Sequence, residues 1–342
     1  MREQRKDLVQ EMNDMKSMRL ILLAICGMLC VSLSDGASKK YDFIVAKDGT
    51  GNFTSLQQAI DSCRDYAERT YAIFVKNGIY VEKIVVPAWK THICIKGESA
   101  ESTILRYNDY TGKIDSVTGT KIRTFKSYTC LIVGNNNSIE DMTIKNTAGQ
   151  VGQAVALHVE GDRCVFRRCR LIGNQDTHLA SGEQSRQYYQ DCYIEGTTDF
   201  IFGAATAVFD RCTILSKLDS YITAASTVPG REFGFVFFDC KLQADNPGRK
   251  VYLGRPWRSF ASVTFIRCEM GGHILPEGWH NWNKPDAEKT VRYSEYKSFG
   301  PGANPGMRVA WSRHMTDEEA SRLTPEYVLR GTDNWNPVNS EN

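Results

Sequence analysis

Asp176 and Asp199 stand 23 residues apart, and each lies seven residues after a cysteine, Cys169 and Cys192, which are themselves 23 apart. Gln175 adjoins the first aspartate, and Gln153 lies a further 23 residues upstream. If these intervals mark a structural repeat, both carboxylates occupy one phase on neighbouring units, with amides beside them. Two close carboxylates cannot both ionise freely, so one keeps its proton unless a cation intervenes. A protonated acid beside a charged one suits general acid–base and nucleophilic chemistry. Amide N–H groups offer neutral donors to a developing oxyanion. Phase alone is a weak signal, because Asp219 is also seven residues after a cysteine, Cys212, and has no amide neighbour. An aspartate in a turn commonly does no more than hydrogen-bond to backbone.

The elements that must position these groups are legible around five cysteines. The segments Phe166–Leu171, Tyr189–Ile194, Phe209–Ile214, Phe237–Leu242 and Phe265–Met270 each carry an aromatic three before the cysteine and an aliphatic or Met two after it. Ile139–Ile144 fits with Met142 in the cysteine slot, and the cysteine intervals are 23, 20, 28 and 28. Self-similarity at that period signals a solenoid, in which no unit buries its apolar face alone. Each unit alternates apolar and polar residues as a strand does. Gly, Asn, Asp and Thr punctuate the units, and helical periodicity is absent between 70 and 300. The expectation is an all-β parallel β-helix with the cysteines stacked in a column inside the coil. A small apolar thiol fills such an interior well. Disulfides remain the alternative, above all for Cys63, Cys94, Cys130 and Cys164, whose phases differ.

Short helices should frame the coil. Ser55-Leu56-Gln57-Gln58 reads as a capping box opening a helix over 55–65 that covers the first coil's open edge. Thr316-Asp317-Glu318-Glu319 reads as a second, and Thr324-Pro325 starts another short helix ending before Gly331, both placed at the C-terminal end. No linker, low-complexity tract or charge run interrupts 41–335, so residues 37–342 are expected to form one domain.

Composition narrows the class. The chain has 342 residues, 42% hydrophobic and 24% charged, with a formal charge of +2. A sizeable core is therefore expected, and net charge gives no support to a nucleic-acid partner. Leu20–Leu33 is an apolar run preceded by Lys16 and Arg19 and followed by small residues, the order of a signal peptide. It is short for a membrane span. Residues 1–36 are expected to be a signal with an N-terminal extension, with Met12, Met15 or Met18 as alternative starts. The mature chain would be secreted or periplasmic, without stable membrane insertion, and monomeric. Nine cysteines then remain, an odd number that leaves at least one unpaired. Asn52 and Asn136 head glycosylation sequons for a host that glycosylates exported proteins. No metal-ligand spacing and no Gly-x-Ser-x-Gly elbow is present, so neither a metal nor another cofactor is expected.

The words around the aspartates carry a resemblance. Gln153-Ala154-Val155-Ala156-Leu157, Gly173-Asn174-Gln175-Asp176-Thr177, Gly196-Thr197-Thr198-Asp199-Phe200-Ile201-Phe202-Gly203 and Leu253-Gly254-Arg255-Pro256-Trp257 resemble signature segments of the pectin methylesterase family. Gly78-Ile79-Tyr80-Val81-Glu82 resembles its N-terminal segment, and Gly278-Trp279, Tyr293, Glu295-Tyr296 and Gly300-Pro301-Gly302 its C-terminal pattern, in family order over roughly 41–315. The resemblance implies a right-handed, single-stranded parallel β-helix and metal-free hydrolysis of galacturonate methyl esters in pectin. It implies Asp199 as nucleophile, Asp176 as general acid and then base, and Gln153 and Gln175 as oxyanion donors. Arg255 would pair with Asp199, and Trp257 would stack on a sugar ring, with Phe200 and His178 as further substrate contacts. The family usually continues Gln-Asp-Thr with Leu and an aromatic, where this chain has His178 and Leu179. His178 reads as a substrate contact, as a pH-sensitive neighbour of Asp176, or as an outward polar residue. The rival readings are a β-helix glycoside hydrolase, which two close carboxylates also suit, and a non-catalytic carbohydrate-binding β-helix.

Overall fold

The computed structural model describes residues 41–338. The expected signal segment lies outside them. The described chain forms three parallel sheets, of eleven, eight and seven strands, and between residues 71 and 270 it winds through them in turn, so that consecutive strands there belong to different sheets and each pairs with its counterpart one coil away. This is the parallel β-helix.

The repeat seen in the sequence is the register of the eleven-stranded sheet. Phe166 pairs with Tyr189, Tyr189 with Phe209, Phe209 with Phe237 and Phe237 with Phe265. Their rings stack inside the coil with centroids 4.8, 4.9, 4.5 and 4.4 Å apart, the spacing of the strands that carry them. The column cysteines are buried free thiols. The Sγ of Cys192, Cys212, Cys240 and Cys268 donates to the carbonyl of the aromatic one rung below, at 3.5, 3.4, 3.3 and 3.6 Å. Stacked thiols, rather than disulfides, thus line this corner.

The residue before each column position turns the corner in the left-handed region. Asp141, Arg168, Asp191, Arg211, Asp239 and Arg267 all have φ between 51° and 53°. Acid and base alternate, and neighbouring rungs pair as Arg168–Asp141, Arg211–Asp191 and Arg267–Asp239 at 2.6, 3.0 and 2.8 Å. Exposed pairs of this kind add little energy each; like charges stacked at this spacing would oppose the fold.

The N-terminal helix α1 (Leu56–Ser62) is shorter than expected, yet it buries Leu56, Ala59 and Ile60 in the core. Its cap is half a capping box. The Ser55 hydroxyl accepts from Gln58 N, and it also donates to Glu82, whose carboxylate takes up the backbone N–H of Leu56 and Gln57. Helix α2 (Asp317–Ser321) has the full reciprocal box of Thr316 and Glu319. Helix α3 (Pro325–Leu329) is where the sequence placed it along the chain, but in space it folds back onto the flank. Val328 and Leu329 pack with Tyr188, Val208, Val236 and Phe238 on the outer face of the eleven-stranded sheet. An apolar outer face needs cover as much as an open end does. Arg167 Nη2 to the Pro337 carbonyl and Arg186 to Asp333 strap the tail down.

Candidate active site

The site forms on the outer face of the seven-stranded sheet. Asp176 and Asp199 stand two residues before the strands His178–Ala180 and Ile201–Gly203, and those strands pair His178 with Ile201. The two aspartates therefore occupy one corner position on adjacent rungs. Both are left-handed, with φ of 64° and 50°, and Asp tolerates that region better than most residues. The glycine three residues before each is dictated by close approach. A Cβ on Gly173 would meet Thr177 Oγ1 at 2.6 Å, and one on Gly196 would meet Phe200 Cβ at 2.2 Å.

Electrostatics separate the two acids. Arg255 Nε donates to Asp199 Oδ1 at 2.9 Å and Nη2 to Oδ2 at 2.7 Å, a bidentate pair. Burial raises the Asp199 pKa and the guanidinium opposes that rise. Asp176 has no ion-pair partner among the described residues. Burial, then the charge of Asp199, push its pKa up to about 8, against a weaker pull from Arg255. The proton of the pair accordingly sits on Asp176 near neutral pH.

A cleft of about 430 Å³ opens over these groups, lined also by Gln153, Gln175, Phe125, Phe202, Trp257 and Trp282. It meets a second hollow of about 560 Å³ at Phe125 and Trp257, so the depression is elongated. Trp257 is half-buried, with its ring 5.8 Å from Phe202 and 6.3 Å from Phe125. Gln153 Oε1 accepts from the Thr124 hydroxyl at 3.2 Å.

Gln153 reaches the cleft by a different route from the one its spacing suggested. Leu157 pairs with His178, an offset of 21 rather than 23, so Gln153 lies two residues out of phase with Asp176. The rung below runs at an offset of 27 in the eight-stranded sheet, where Arg170 pairs with Thr143, and the extra residues form the turn that carries Gln153.

Two expected substrate contacts are corrected. Phe200 is fully buried in the central core. The Asp199 corner interrupts the strand alternation, so Phe200 and Ile201 both face inward while Phe202 faces the cleft. His178 is also fully buried, its ring edge-on to Tyr189 at 4.7 Å and its Nδ1 against the Leu157 carbonyl at 3.2 Å. It is neither a substrate contact nor an outward residue, because Leu179 takes the outward position. Burial drives its pKa down to about 3, so it is a neutral core imidazole. Asp219 is more than half exposed and lies outside the cleft.

Phe202, Arg123, Thr124, Phe125 and Trp282 line the cleft without having been singled out in the sequence. Three of them come from residues 108–129, a long stretch without regular strand between Thr103–Tyr107 and Cys130–Ile132. Its length was the available signal. Buried Asn146 pins it, with Nδ2 donating to the carbonyls of Asp109, Ser127 and Val155.

Among the described residues no group of three His, Cys, Asp or Glu side chains converges as a metal cage would. No helix among them is long and apolar enough to cross a membrane.

The family model described as Pectinesterase matches residues 42–332. Pectinesterase 31 of Arabidopsis thaliana is 38% identical over 285 residues, covering 82% of this chain and 89% of its own. The solved structure of pectin methylesterase from carrot superposes with a TM-score of 0.79 at 29% identity, covering 86% of this chain and 95% of that one. A pectin methylesterase mutant crystallised with a hexasaccharide gives 0.76 at 28% identity, covering 88% and 99%. Matched along nearly the whole of its coil, in sequence and in backbone, this chain belongs to the pectinesterase family.

Proposed function

We propose that this protein is a pectin methylesterase in which Asp199 is the nucleophile and Asp176 the general acid and base. The activity follows from the family; the assignment of roles rests on one observation, the unequal environments of two carboxylates that share a corner position. Asp199, held charged and oriented by the Arg255 fork, attacks the ester carbonyl carbon. The carbonyl oxygen gains the negative charge, and Gln153 and Gln175 supply amide N–H donors to it. Asp176, which holds its proton to about pH 8, passes it to the methoxy oxygen as the C–O bond breaks and methanol leaves. The resulting acyl anhydride on Asp199 is attacked by water. Asp176, now a carboxylate, takes the water proton, and free galacturonate and Asp199 are restored.

The elongated depression suits a polymer, and half-buried Trp257, backed by Phe202, offers a ring face to a sugar ring along it. A hexasaccharide-bound relative with the same fold supports a saccharide chain as ligand. Export through the apolar N-terminal run and a monomeric state belong to the same reading.

The test is methanol release from methyl-esterified pectin, with polygalacturonate as control. Methanol with unchanged chain length is expected. New reducing ends without methanol would reject the esterase and favour a glycoside hydrolase.

A further inference from the structure

The Arg255 guanidinium lies between two aromatic faces. Its central carbon is 3.9 Å from the Tyr221 ring centroid and 3.7 Å from that of Trp282. Guanidinium–aromatic stacking leaves the in-plane N–H groups free to fork onto a carboxylate, and here they reach Asp199. Tyr221 holds the same carboxylate's backbone, since the Asp199 N–H donates to the Tyr221 carbonyl at 2.9 Å.

Trp282 reaches this place through an unusual turn. Trp282 and the following Asn283 have φ of 57° and 53°, a conformation that costs energy for residues with a Cβ. The turn is fastened to the Arg255 segment on both sides. His280 N donates to the Gly254 carbonyl at 3.1 Å, and Trp282 N donates to His280 Nδ1 at 2.9 Å. Lys284 Nζ donates to the carbonyls of Pro256 and Trp257 at 3.3 and 3.2 Å, and lies 4.6 Å from the Trp282 ring centroid. Backbone strain and two cations on one indole are more than a cleft wall requires.

We propose that the His280–Lys284 turn is a clamp for the Arg255–Asp199 ion pair, and that Trp282 is a positioning residue that acts through Arg255. The proposal rests on the catalytic roles given above. Stacking fixes the guanidinium plane and keeps water from its faces, so both hydrogen bonds to Asp199 stay short and charged. Without the ring, Arg255 regains rotamer freedom and solvent, and its hold on Asp199 loosens. Asp199 then protonates at higher pH, because burial raises its pKa and the guanidinium is what opposes the rise. The other charged or titratable groups near the pair are Asp176, Tyr221, Tyr293, His280, Lys284, Arg258 and, across the cleft, Arg123. Of these, only the cations could take over from Arg255, and His280 is held below its ordinary value by burial.

The experiment compares Trp282→Ala, Trp282→Phe, Arg255→Ala and the Trp282→Ala/Arg255→Ala double variant in methanol release, with thermal melts to confirm folding. Activity of the unmutated protein tests the esterase reading separately. Trp282→Ala should lower kcat on the order of ten- to thirtyfold with KM changed less than about threefold, and move the acid limb of kcat/KM to higher pH. Trp282→Phe should restore most of the loss, and the double variant should be no worse than Arg255→Ala. A raised KM with unchanged kcat and acid limb, or losses that multiply in the double variant, would overturn the proposal and make Trp282 a substrate platform only. If Trp282→Ala does not fold, Lys284→Met carries the test, since it keeps the ring and removes its tether. The acid limb must then move the same way, and an unmoved limb rejects the clamp.

Discussion

Arg255 grips Asp199 with two parallel bonds of 2.9 and 2.7 Å, whereas Asp176, in the same corner position one rung away, has no cation in ion-pair range among the described residues. A repeating fold would make two such aspartates equivalent. A single arginine, contributed from two rungs further on in the same sheet, makes them different acids.

That inequality is testable by paired amides. Asp199→Asn should remove the nucleophile and lower methanol release by about 10³-fold or more, with an unchanged melt. Asp176→Asn should lose a comparable factor on methyl esters, but less on an ester whose alcohol leaves without a proton, such as a nitrophenyl ester. Equal losses on both esters would contradict the acid role.

Arg255→Lys keeps the charge and loses the fork. A drop in kcat of about tenfold or more is expected, because an ammonium cannot make two parallel bonds to one carboxylate. Its weaker hold leaves Asp199 higher, so the acid limb of kcat/KM should move up in pH. The alkaline limb reports loss of the Asp176 proton and should stay near pH 8. Unshifted limbs with full activity would show that bidentate geometry is dispensable.

Stability should depend on pH in two opposed ways. Asp176 holds its proton in the folded state to about pH 8 and in the unfolded chain only to about 3.8. Folded protein thus binds more protons between those values, and stability falls as pH rises through that window. His178 has the reverse sign: its folded pKa of about 3 lies below the free value of 6.5, so stability falls as pH drops from 6.5. Each effect is on the order of a few kcal/mol. Asp176→Asn should gain melting temperature over the parent most at pH 8–9, and His178→Leu should flatten the loss between about pH 6.5 and 5. Identical pH slopes in parent and variants would refute both assignments.

Phe200 and Phe202 separate core from cleft. Phe200→Ala should cost about 3–5 kcal/mol of stability by opening a cavity in the coil. Phe202→Ala should also cost stability, since its ring is buried, but unlike Phe200→Ala it should raise KM on pectin, because that ring lines the cleft beside Trp257. Denaturant melts and Michaelis–Menten curves on both variants decide this. A raised KM for Phe200→Ala and an unchanged KM for Phe202→Ala would mean that the corner at Asp199 turns the strand the other way.

The sequence by itself determined the repeat. Cysteine and aromatic side chains recur at rung spacing because only that spacing stacks them inside a coil, so the β-helix and the shared position of Asp176 and Asp199 could be counted out from Cys169 and Cys192. Counting fails where the chain leaves the strands, because turn lengths between sheets vary freely while strand registers do not. That is why Gln153 reaches the cleft out of phase, and why the α3 helix lies on a flank rather than an end. Counting fails again at left-handed corners, which reset the inward and outward alternation. There the tertiary structure alone decided that Phe200 and His178 are core and Phe202 is cleft. The cover of the Arg255–Asp199 pair by Tyr221 and Trp282 was also a tertiary matter, since residues so distant in sequence meet only once the coil is wound.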